Sequence, residues 1–434
     1  MTRSDSGTFF AVRLFIVMFW VLPGMLAASA DAGVPGPDAR FDWWRQARFG
    51  LFIHWGPVSL VGTEISWSRI GERRDRHEFH TNGIPTAEYD ALFRKFNPTN
   101  FNAADWVATA KKAGMNYLVF TAKHHDGFCE FDSQLTDYKI TRTPFGRDVC
   151  AELADACHKQ GMRLGLYYSP PDWHHPDYFT TNQPRYNKYF HGQVRELLTN
   201  YKPVDILWFD STSKTNLPGL WDAPQLMEMI HQLAPQILMT KRCGGVGDFD
   251  TPEQRVGKYQ TTPWETCMTL CTQWSWKPND RMKSLKVCLQ TLVLCAGGDG
   301  NLLLNVGPMP DGRIEPRQVE RLAEIGAWLS RNGDSIYGTR GGPWKPTKAI
   351  ASTRNGNIIY LHILQWKGDS VELPAIARKV KSASLLNGDA AEVVETNGQL
   401  GVKVALPGRD SMDTVVRIEL DGSAMDLPAM ELAK

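Results

Sequence analysis

Short apolar runs alternate with helical stretches along most of this chain, and this alternation most constrains its fold. The stretches between the runs, such as residues 102–113 and 285–295, space their apolar residues as one face of a helix does. Short strands that alternate with helices predict parallel βαβ units, and this many units predict a (β/α)8-like, TIM-type barrel. The apolar runs lie at residues 49–55, 116–123, 163–169, 205–210, 236–242 and 302–306.

Polar and ionisable residues cluster at the carboxyl-terminal ends of these runs. A chance distribution would scatter such residues over both ends of the strands. In (β/α)8 enzymes the active site is built at this rim of the barrel, with residues from several strands. The clustering therefore favours a barrel over an open sheet and predicts an active site at the rim. The rim residues are His54, His124, His125, Tyr167, Tyr168, Asp210 and Arg242.

The alternation of strands and helices gives way to a pattern of β-strands alone after about Gly341. Two Asn-Gly pairs, at residues 355–356 and 397–398, separate alternating β-rich runs, and such pairs are typical of tight hairpin turns. We therefore expect a catalytic barrel domain over residues 31–344 and a small antiparallel β-sandwich domain over residues 345–434. The second segment is poor in candidate catalytic groups, so we assign it no chemistry.

Residues 1–30 have the pattern of a signal peptide. Arg3 and Arg13 precede the apolar run at residues 14–26, and a small-x-small cleavage pattern then ends at Ala30. The run is short for a membrane span, although a retained N-terminal anchor stays an alternative. The pattern predicts a protein exported to the periplasm, the medium or an equivalent compartment after cleavage near Ala30.

The overall composition narrows the choice of partners. A net charge of +1 gives no electrostatic reason to expect nucleic acid or an anionic membrane as a partner. Fifteen tryptophans suit either a large core or a carbohydrate site, because indole rings pack on the C–H faces of sugars. The eight cysteines permit disulfides in an exported protein, but several lie in apolar runs, where free buried thiols are common. The oligomeric state stays open.

Two carboxylates near the strand ends are candidates for catalysis. Asp210 ends an apolar run, where a carboxylate is costly to bury unless it is paired or lies at a polar rim. Glu253 follows the glycine-rich segment 244–247 in a loop after the fifth run, and Glu265 lies further along, between Trp264 and Thr266. Glycoside hydrolysis needs two such groups, one to attack and one to protonate the leaving oxygen. The alternatives are a helix N-cap for the aspartate and a solvated loop charge for a glutamate.

The adjacent pair His124–His125 invites a metal hypothesis. Neighbouring residues of a strand point to opposite faces, so both imidazoles reach one ion only if the strand has ended before them. The sequence has no His-x-His or His-Glu-x-x-His motif. We therefore predict no metal and no other cofactor, and we expect the imidazoles to hydrogen-bond sugar hydroxyls.

Five sequence motifs follow one another along the chain. They are FIHWG at 52–56, TAKHHDGF at 121–128, GLYYS at 165–169, LWFD at 207–210 and GNLLLNVGP at 300–308. Together these motifs resemble those of glycoside hydrolase family 29, the α-L-fucosidases. The resemblance runs from about residue 41 to residue 344, and the set of motifs is highly specific.

The resemblance implies a retaining double displacement with Asp210 as nucleophile. It places the acid/base on the Thr-Pro-Glu loop, which makes Glu253 the first choice and Glu265 the alternative. Ile65 stands where many members have Trp, and Ser211 follows the nucleophile where Gly is frequent. The residues that match the family's fucose pocket are His54, Glu64, Trp67, His124, His125, Tyr167, Trp208 and Arg242.

These inferences together predict an exported exo-glycosidase that removes terminal α-L-fucosyl groups from a fucosylated oligosaccharide or glycoconjugate. Two alternatives stay open at this stage. The same machinery suits an α-L-galactosidase, because α-L-galactosides differ from fucosides by a hydroxyl at C6. A fucose-binding lectin on an inactive barrel is the second alternative, which the presence of both carboxylates disfavours. The sequence does not indicate which fucosyl linkage is cleaved.

Overall fold

A computed structural model of the protein describes residues 39–432, apart from residues 74, 76, 77, 81, 82 and 213. The signal peptide expected at residues 1–30 lies outside the described residues, and its cleavage near Ala30 stays a prediction. Within the described part of the chain, no helix combines the length and the apolar character that crossing a membrane requires.

Seven parallel strands form a curled sheet, in the order β5-β4-β3-β2-β1-β7-β6. Six of them coincide with the apolar runs of the sequence, and β6 is the strand that the sequence did not predict. Each pair of neighbours is parallel, as βαβ connections require. The strands are β1 Phe49–Ile53, β2 Tyr117–Lys123, β3 Arg163–Tyr168, β4 Ile206–Phe209, β5 Leu238–Met239, β6 Glu265–Thr269 and β7 Asn301–Val306.

An irregular segment, residues 248–254, fills the gap between β5 and β6. It makes isolated parallel bridges to both neighbours, pairing Phe249 with Thr240 on one side and Glu253 with Cys267 on the other. Pro252 has no backbone N–H, so this segment cannot form a regular ladder. The sequence predicted a loop after β5 here, and the segment has no regular strand of its own. It takes the place of an eighth strand, and the predicted (β/α)8-like barrel is confirmed.

Three of the helices, Ala103–Lys112, Val149–Gln160 and Leu285–Gly297, begin at polar side-chain caps. Asn102 Oδ1 accepts a hydrogen bond from a backbone N–H at 3.0 Å, Asp148 Oδ1 does so at 2.9 Å and Ser284 Oγ at 3.3 Å. Each cap satisfies an N–H in the first turn of the helix that follows it. The α-helices are Asp42–Ala47, Thr86–Ala91, Ala103–Lys112, Val149–Gln160, Gln183–Asn200, Ala223–Leu233, Leu285–Gly297 and Pro316–Asn332.

The barrel strands are buried on both faces, and alternate residues point to the inside and the outside. In β1, Phe52 packs in the barrel interior, whereas Leu51 packs against the surrounding helices. The first helix packs against the same interior cluster through Trp44, whose ring lies 5.0 Å from that of Phe249. Two-sided burial explains why most of these strands read as continuous apolar runs.

The C-terminal segment forms two antiparallel sheets that enclose their own apolar core, which confirms the predicted β-sandwich. Asn397 and Gly398 have φ angles of 52° and 74° and form the predicted two-residue turn. One sheet contains Arg340–Gly341, Ile350–Asn355, Ile358–Ile363, Val380–Leu385 and Thr414–Leu420, and the other contains Ser370–Pro374, Glu392–Thr396 and Gln399–Lys403. A further small sheet near the barrel rim has the strands Arg69–Arg73, Glu78–His80 and Ile84–Pro85.

The change from parallel to antiparallel pairing falls close to the boundary expected at residues 344–345, but the domain limits themselves stay a prediction. All eight cysteines are buried free thiols. Their positions in apolar runs, noted from the sequence, agree with this state.

Candidate active site

A pocket of about 430 Å³ opens at the carboxyl ends of the barrel strands. This is where the sequence predicted the active site, and the volume is typical of a small-ligand site. Nine of the predicted site residues line the pocket, whereas Glu64 and Glu265 lie behind its wall. The lining residues are Phe52, His54, Trp67, His124, His125, Tyr167, Trp208, Asp210, Ser211, Thr212, Asn216, Arg242, Glu253, Cys267 and Trp274.

Asp210 follows β4 directly, and its carboxylate is held by pocket residues on both oxygens. Oδ1 accepts a hydrogen bond from Arg242 Nη1 at 2.8 Å, and Oδ2 accepts one from the Tyr167 hydroxyl at 2.8 Å. His125 Nε2 lies 3.6 Å from Oδ2. Leu217, and not Asp210, precedes the next helical turn, so the N-cap interpretation of this aspartate is wrong.

Glu253 lies at the mouth of the pocket and shares a partner with Asp210. Its Oε2 accepts hydrogen bonds from Arg242 Nη1 and Nη2, both at 3.2 Å. Arg242 Nη1 lies 2.8 Å from Asp210 Oδ1 and 3.2 Å from Glu253 Oε2. The distance between these two carboxylate oxygens therefore cannot exceed the sum of the two contacts. This limit is below the roughly 6.5–9.5 Å between the carboxyl groups of inverting glycosidases and suits the shorter spacing, about 5 Å, of retaining ones.

Arg242 is fixed on three sides. Its Nε donates to Thr251 Oγ1 at 2.6 Å, its Nη2 donates to the Thr251 carbonyl at 2.8 Å, and the guanidinium lies 5.1 Å from the Trp208 ring. Burial alone would lower the pKa of Arg242, but the nearby carboxylates of Asp210 and Glu253 raise it above its ordinary value. The guanidinium therefore stays charged and holds the two carboxylates in a fixed geometry.

Three histidines form one side of the pocket, and each Nδ1 is held by a neighbour. His124 Nδ1 lies 2.6 Å from Ser66 Oγ, His125 Nδ1 lies 2.5 Å from Ser169 Oγ, and His54 Nδ1 lies 2.7 Å from an asparagine oxygen. Strand β2 ends at Lys123, before His124 and His125. The alternation of side chains along a strand therefore does not apply to these two residues, and both rings face the pocket. The sugar-binding role expected of these rings stays a prediction.

Burial keeps two of these imidazoles neutral. It lowers the pKa of His54 to about 4, against a smaller opposing effect of the hydrogen bond that His54 Nδ1 donates to Asn305 Oδ1. Burial also lowers the pKa of His124 well below its ordinary value, and the neighbouring His125 and His54 lower it further. A neutral imidazole donates at one nitrogen and accepts at the other, which suits a pocket that must hold hydroxyl groups.

Glu265 lies in the barrel interior, beneath the pocket, and is fully buried. Its carboxylate accepts hydrogen bonds from the Tyr117 hydroxyl and from Trp208 Nε1, the latter at 3.2 Å. Burial raises the pKa of Glu265 to about 7, although these two hydrogen bonds oppose the shift. A Cβ atom at Gly50 would lie 2.3 Å from the Tyr117 ring, so glycine there leaves the space that this interior arrangement needs.

The Glu64 carboxylate already has hydrogen-bond partners within the protein. It accepts backbone N–H hydrogen bonds from Trp274 at 2.9 Å, from Ser275 at 3.3 Å and from Ile65 at 3.1 Å. Burial raises the pKa of Glu64, and the Trp274 N–H opposes this shift most. The glutamate thus holds in place the loop that carries Trp274, whose ring lies 4.8 Å from that of His54 in the pocket wall.

Sequence reasoning missed several lining residues as candidates. Period-two alternation could have found Phe52, two residues before His54 in β1. No periodic signal exists for Asn216 and Trp274, which lie on irregular loops. Ser211 was noted only as a departure from the family, yet its Oγ is buried and has no hydrogen-bond partner among the described residues.

Comparison with known proteins agrees with this geometry. The family profile described as alpha-L-fucosidase matches residues 37–334 of the chain. The tissue alpha-L-fucosidase of Homo sapiens is 29% identical over 403 residues, which cover 84% of this chain and 84% of the relative.

Two solved structures share the fold over nearly the whole chain. Alpha-L-fucosidase isoenzyme 1 from Paenibacillus thiaminolyticus has a TM-score of 0.81 and 37% identity, covering 89% of this chain and 99% of that chain. A family 29 enzyme from Bacteroides thetaiotaomicron, trapped as a covalent intermediate, has a TM-score of 0.78 and 26% identity, covering 89% and 97%. This chain therefore belongs to the α-L-fucosidases of glycoside hydrolase family 29 and is a retaining α-L-fucosidase.

Proposed function

We propose that this enzyme removes terminal α-L-fucosyl groups from fucosylated oligosaccharides or glycoconjugates, with Asp210 as nucleophile and Glu253 as acid/base. The observation that carries the assignment is the shared guanidinium of Arg242, which contacts both carboxylates. One carboxylate is largely enclosed within the pocket, and the other lies at the mouth, where a leaving group must exit.

In the first step Asp210 attacks the anomeric carbon, and the bond from that carbon to the leaving oxygen breaks. The Tyr167 hydroxyl and Arg242 hold the carboxylate in one orientation, so little reorganisation precedes the attack. Glu253 gives its proton to the leaving oxygen. The Glu253 side chain is 42% exposed, so it can exchange protons with solvent.

In the second step the roles reverse. Water enters after the leaving group departs, and Glu253 removes a proton from that water as its oxygen attacks the anomeric carbon. The bond to Asp210 breaks, and the carboxylate returns to its contact with Arg242. Two displacements at one carbon give a product of retained configuration, without a metal or other cofactor in either step.

The apolar residues of the pocket wall favour a fucoside over an α-L-galactoside. Phe52, Trp208, Cys267 and Trp274 give the pocket apolar surface, which suits the methyl group of fucose. A galactoside carries a hydroxyl at the same carbon, and that hydroxyl loses water on binding unless the protein supplies a partner.

Export of the enzyme is part of the proposal. The leader pattern at residues 1–30 supports it, and an extracellular or periplasmic site is where the enzyme would meet glycoconjugates. Expression of the full chain, followed by N-terminal sequencing of the protein outside the cytoplasm, should find a new terminus near Asp31. A full-length protein retained in the membrane fraction would favour the anchor alternative instead.

A substrate panel tests the catalytic proposal directly. Nitrophenyl α-L-fucoside and nitrophenyl α-L-galactoside should differ in kcat/KM by a large factor in favour of the fucoside. Early NMR spectra of the released sugar should show the α anomer before mutarotation. Binding of fucose without turnover of any fucoside would contradict the proposal and revive the lectin hypothesis, and a panel of linkages would identify the preferred glycan.

A further inference from the structure

Three potential ligand atoms converge in the enclosed part of the fucose pocket. His124, His125 and Asp210 each supply one nitrogen or oxygen, and these atoms all lie within 4.8 Å of one another. His125 Nε2 and Asp210 Oδ2 are 3.6 Å apart. Ligand atoms at about 2.0–2.2 Å from a tetrahedral Zn²⁺ ion are roughly 3.4 Å apart, so small side-chain movements would complete the set.

The two histidines are held as ligands of transition metals usually are. Each imidazole is hydrogen-bonded through Nδ1 to a serine hydroxyl, Ser66 for His124 and Ser169 for His125. In metal sites such contacts fix the orientation of the ring that binds the ion. Both rings are buried, so little conformational entropy remains to be lost when an ion binds.

The charge of the pocket also favours a cation. Asp210 and Glu253 supply two carboxylates, and Arg242 supplies one guanidinium. A divalent ion at the histidines would share Asp210 Oδ2 with the Tyr167 hydroxyl, whereas Arg242 contacts Oδ1 of the same carboxylate. The ion therefore need not displace the guanidinium.

From these contacts we propose that Zn²⁺ or Cu²⁺ binds to His124, His125 and Asp210 and inhibits the enzyme by competing with the fucoside. Two imidazoles and one carboxylate suit these ions, and the pocket supplies an open position for water. The ion would take the lone pairs of the nucleophile and occupy part of the sugar site. It would act as an inhibitor and not as a cofactor, so the metal-free enzyme is the active form.

Kinetics give the first arm of the test. Initial rates on nitrophenyl α-L-fucoside should be full after dialysis against a chelator. Added Zn²⁺ should raise the apparent KM while leaving kcat unchanged, Cu²⁺ should do so at lower concentrations, and the chelator should reverse both effects. Mg²⁺ prefers oxygen ligands and should have no effect, which makes it the matched control ion.

Calorimetric titration with Zn²⁺ gives a second arm that does not depend on activity. Asp210→Asn keeps the shape of the side chain and should weaken Zn²⁺ binding by at least about tenfold, because even the loss of an outer contact costs a metal site that much. His125→Ala should have the same effect. His231→Ala, an exposed position on the helix Ala223–Leu233, is the matched control and should bind as the wild type does.

The pocket thiol is the alternative ligand to exclude. Cys267 lines the same pocket, and both ions bind sulfur well. The inference predicts that Cys267→Ala keeps the Zn²⁺ affinity and that excess L-fucose lowers it. Loss of binding in Cys267→Ala, equal binding in Asp210→Asn and His125→Ala, or inhibition that is not competitive would each overturn the inference. A failure to hydrolyse fucosides without metal would contradict the proposed function, and the titration would still test the metal site.

Discussion

Glu253 and Glu265 belong to neighbouring segments of the barrel wall but lie at different depths. The Glu253 side chain is 42% exposed at the mouth of the pocket, whereas Glu265 is fully buried beneath it. Glu253 contacts the charged Arg242, and Glu265 contacts the neutral donors Tyr117 and Trp208. One carboxylate therefore has a cationic partner at the solvent-exposed rim, and the other has only neutral donors in the buried interior.

This difference indicates which glutamate can act on a substrate. An acid/base must reach the leaving oxygen and exchange its proton with water, and the rim gives Glu253 both properties. Glu265 is enclosed by Tyr117 and by Trp208, whose ring separates it from the pocket. We infer that Glu265 supports the Trp208 wall and does not meet the substrate.

We expect the largest loss of activity on substitution of Asp210, the proposed nucleophile. Asp210→Asn or Asp210→Gly should reduce kcat/KM on every fucoside by at least about 10⁴-fold, because a double displacement has no route around its nucleophile. Steady-state kinetics and circular dichroism would separate lost chemistry from lost folding.

Azide provides a further control on the nucleophile. In Asp210→Gly, azide should not restore a product of retained configuration, although an inverted fucosyl azide is compatible with the assignment. Near wild-type rates in this variant would show that another residue is the nucleophile.

Glu253→Ala should show the second largest effect, and its size should depend on the leaving group. Loss of a general acid costs about 10²–10⁴-fold on natural oligosaccharides, whose leaving oxygen needs a proton. A nitrophenyl group leaves without protonation, so the first step on that substrate should be largely spared. The second step should slow because the base is missing, and azide should accelerate it with retained configuration.

Glu265→Ala is the comparison that could reverse these roles. It should affect good and poor leaving groups by the same factor, because it acts through the pocket wall and not through proton transfer. A leaving-group dependence and azide rescue in Glu265→Ala, without either in Glu253→Ala, would require the two assignments to be exchanged.

Most strands of the barrel could be predicted from the sequence, but the strand that carries Glu265 could not. Strands such as β2 are buried on both faces, so their apolar runs were visible, and the bounds of all of them except β5 were predicted within two residues. Strand β6 reads ETCMT and begins with Glu265, so it has no such run. The buried position of Glu265 depends on hydrogen bonds from Tyr117 and Trp208, which are distant in the sequence.

The candidate site divides in the same way. Residues at strand ends, such as His54 and Asp210, were predictable because the barrel brings all the carboxyl ends of its strands to one rim. The position of Trp274 could not be predicted, because it depends on a hydrogen bond to the carboxylate of Glu64, which is far away in the sequence. A loop held by tertiary hydrogen bonds leaves no periodic pattern in the sequence.

The pH dependence of stability should distinguish the buried glutamate from an exposed one. Burial raises the pKa of Glu265 from 4.5 to about 7, so the folded state holds a proton that the unfolded state releases between these values. Raising the pH through this window therefore destabilises the fold, by on the order of 3 kcal/mol in total, and no further above it. Glu265→Gln should remove this contribution.

Thermal unfolding at pH 5 and pH 8 measures the effect. The fall in Tm between the two should be smaller in Glu265→Gln than in the wild type, since the other titrating groups are common to both proteins. Glu320→Gln, an exposed position on the helix Pro316–Asn332, is the matched control and should keep the wild-type difference. An unchanged difference in Glu265→Gln would mean that this carboxyl is not protonated in the folded state.

The smallest expected effect concerns Ser211, which lies where the rim meets the interior. It follows Asp210 directly and lines the pocket, and its buried hydroxyl has no partner among the described residues. A hydroxyl in that state should hydrogen-bond the substrate, and a neutral hydrogen bond contributes about 0.5–1.5 kcal/mol, or roughly a two- to tenfold change. Ser211→Ala should therefore lower kcat/KM by that factor without reducing Tm, because no hydrogen bond to a described residue is lost. A wild-type kcat/KM in Ser211→Ala would show that the hydroxyl does not meet the substrate, and a lowered Tm would show that it has a structural partner instead.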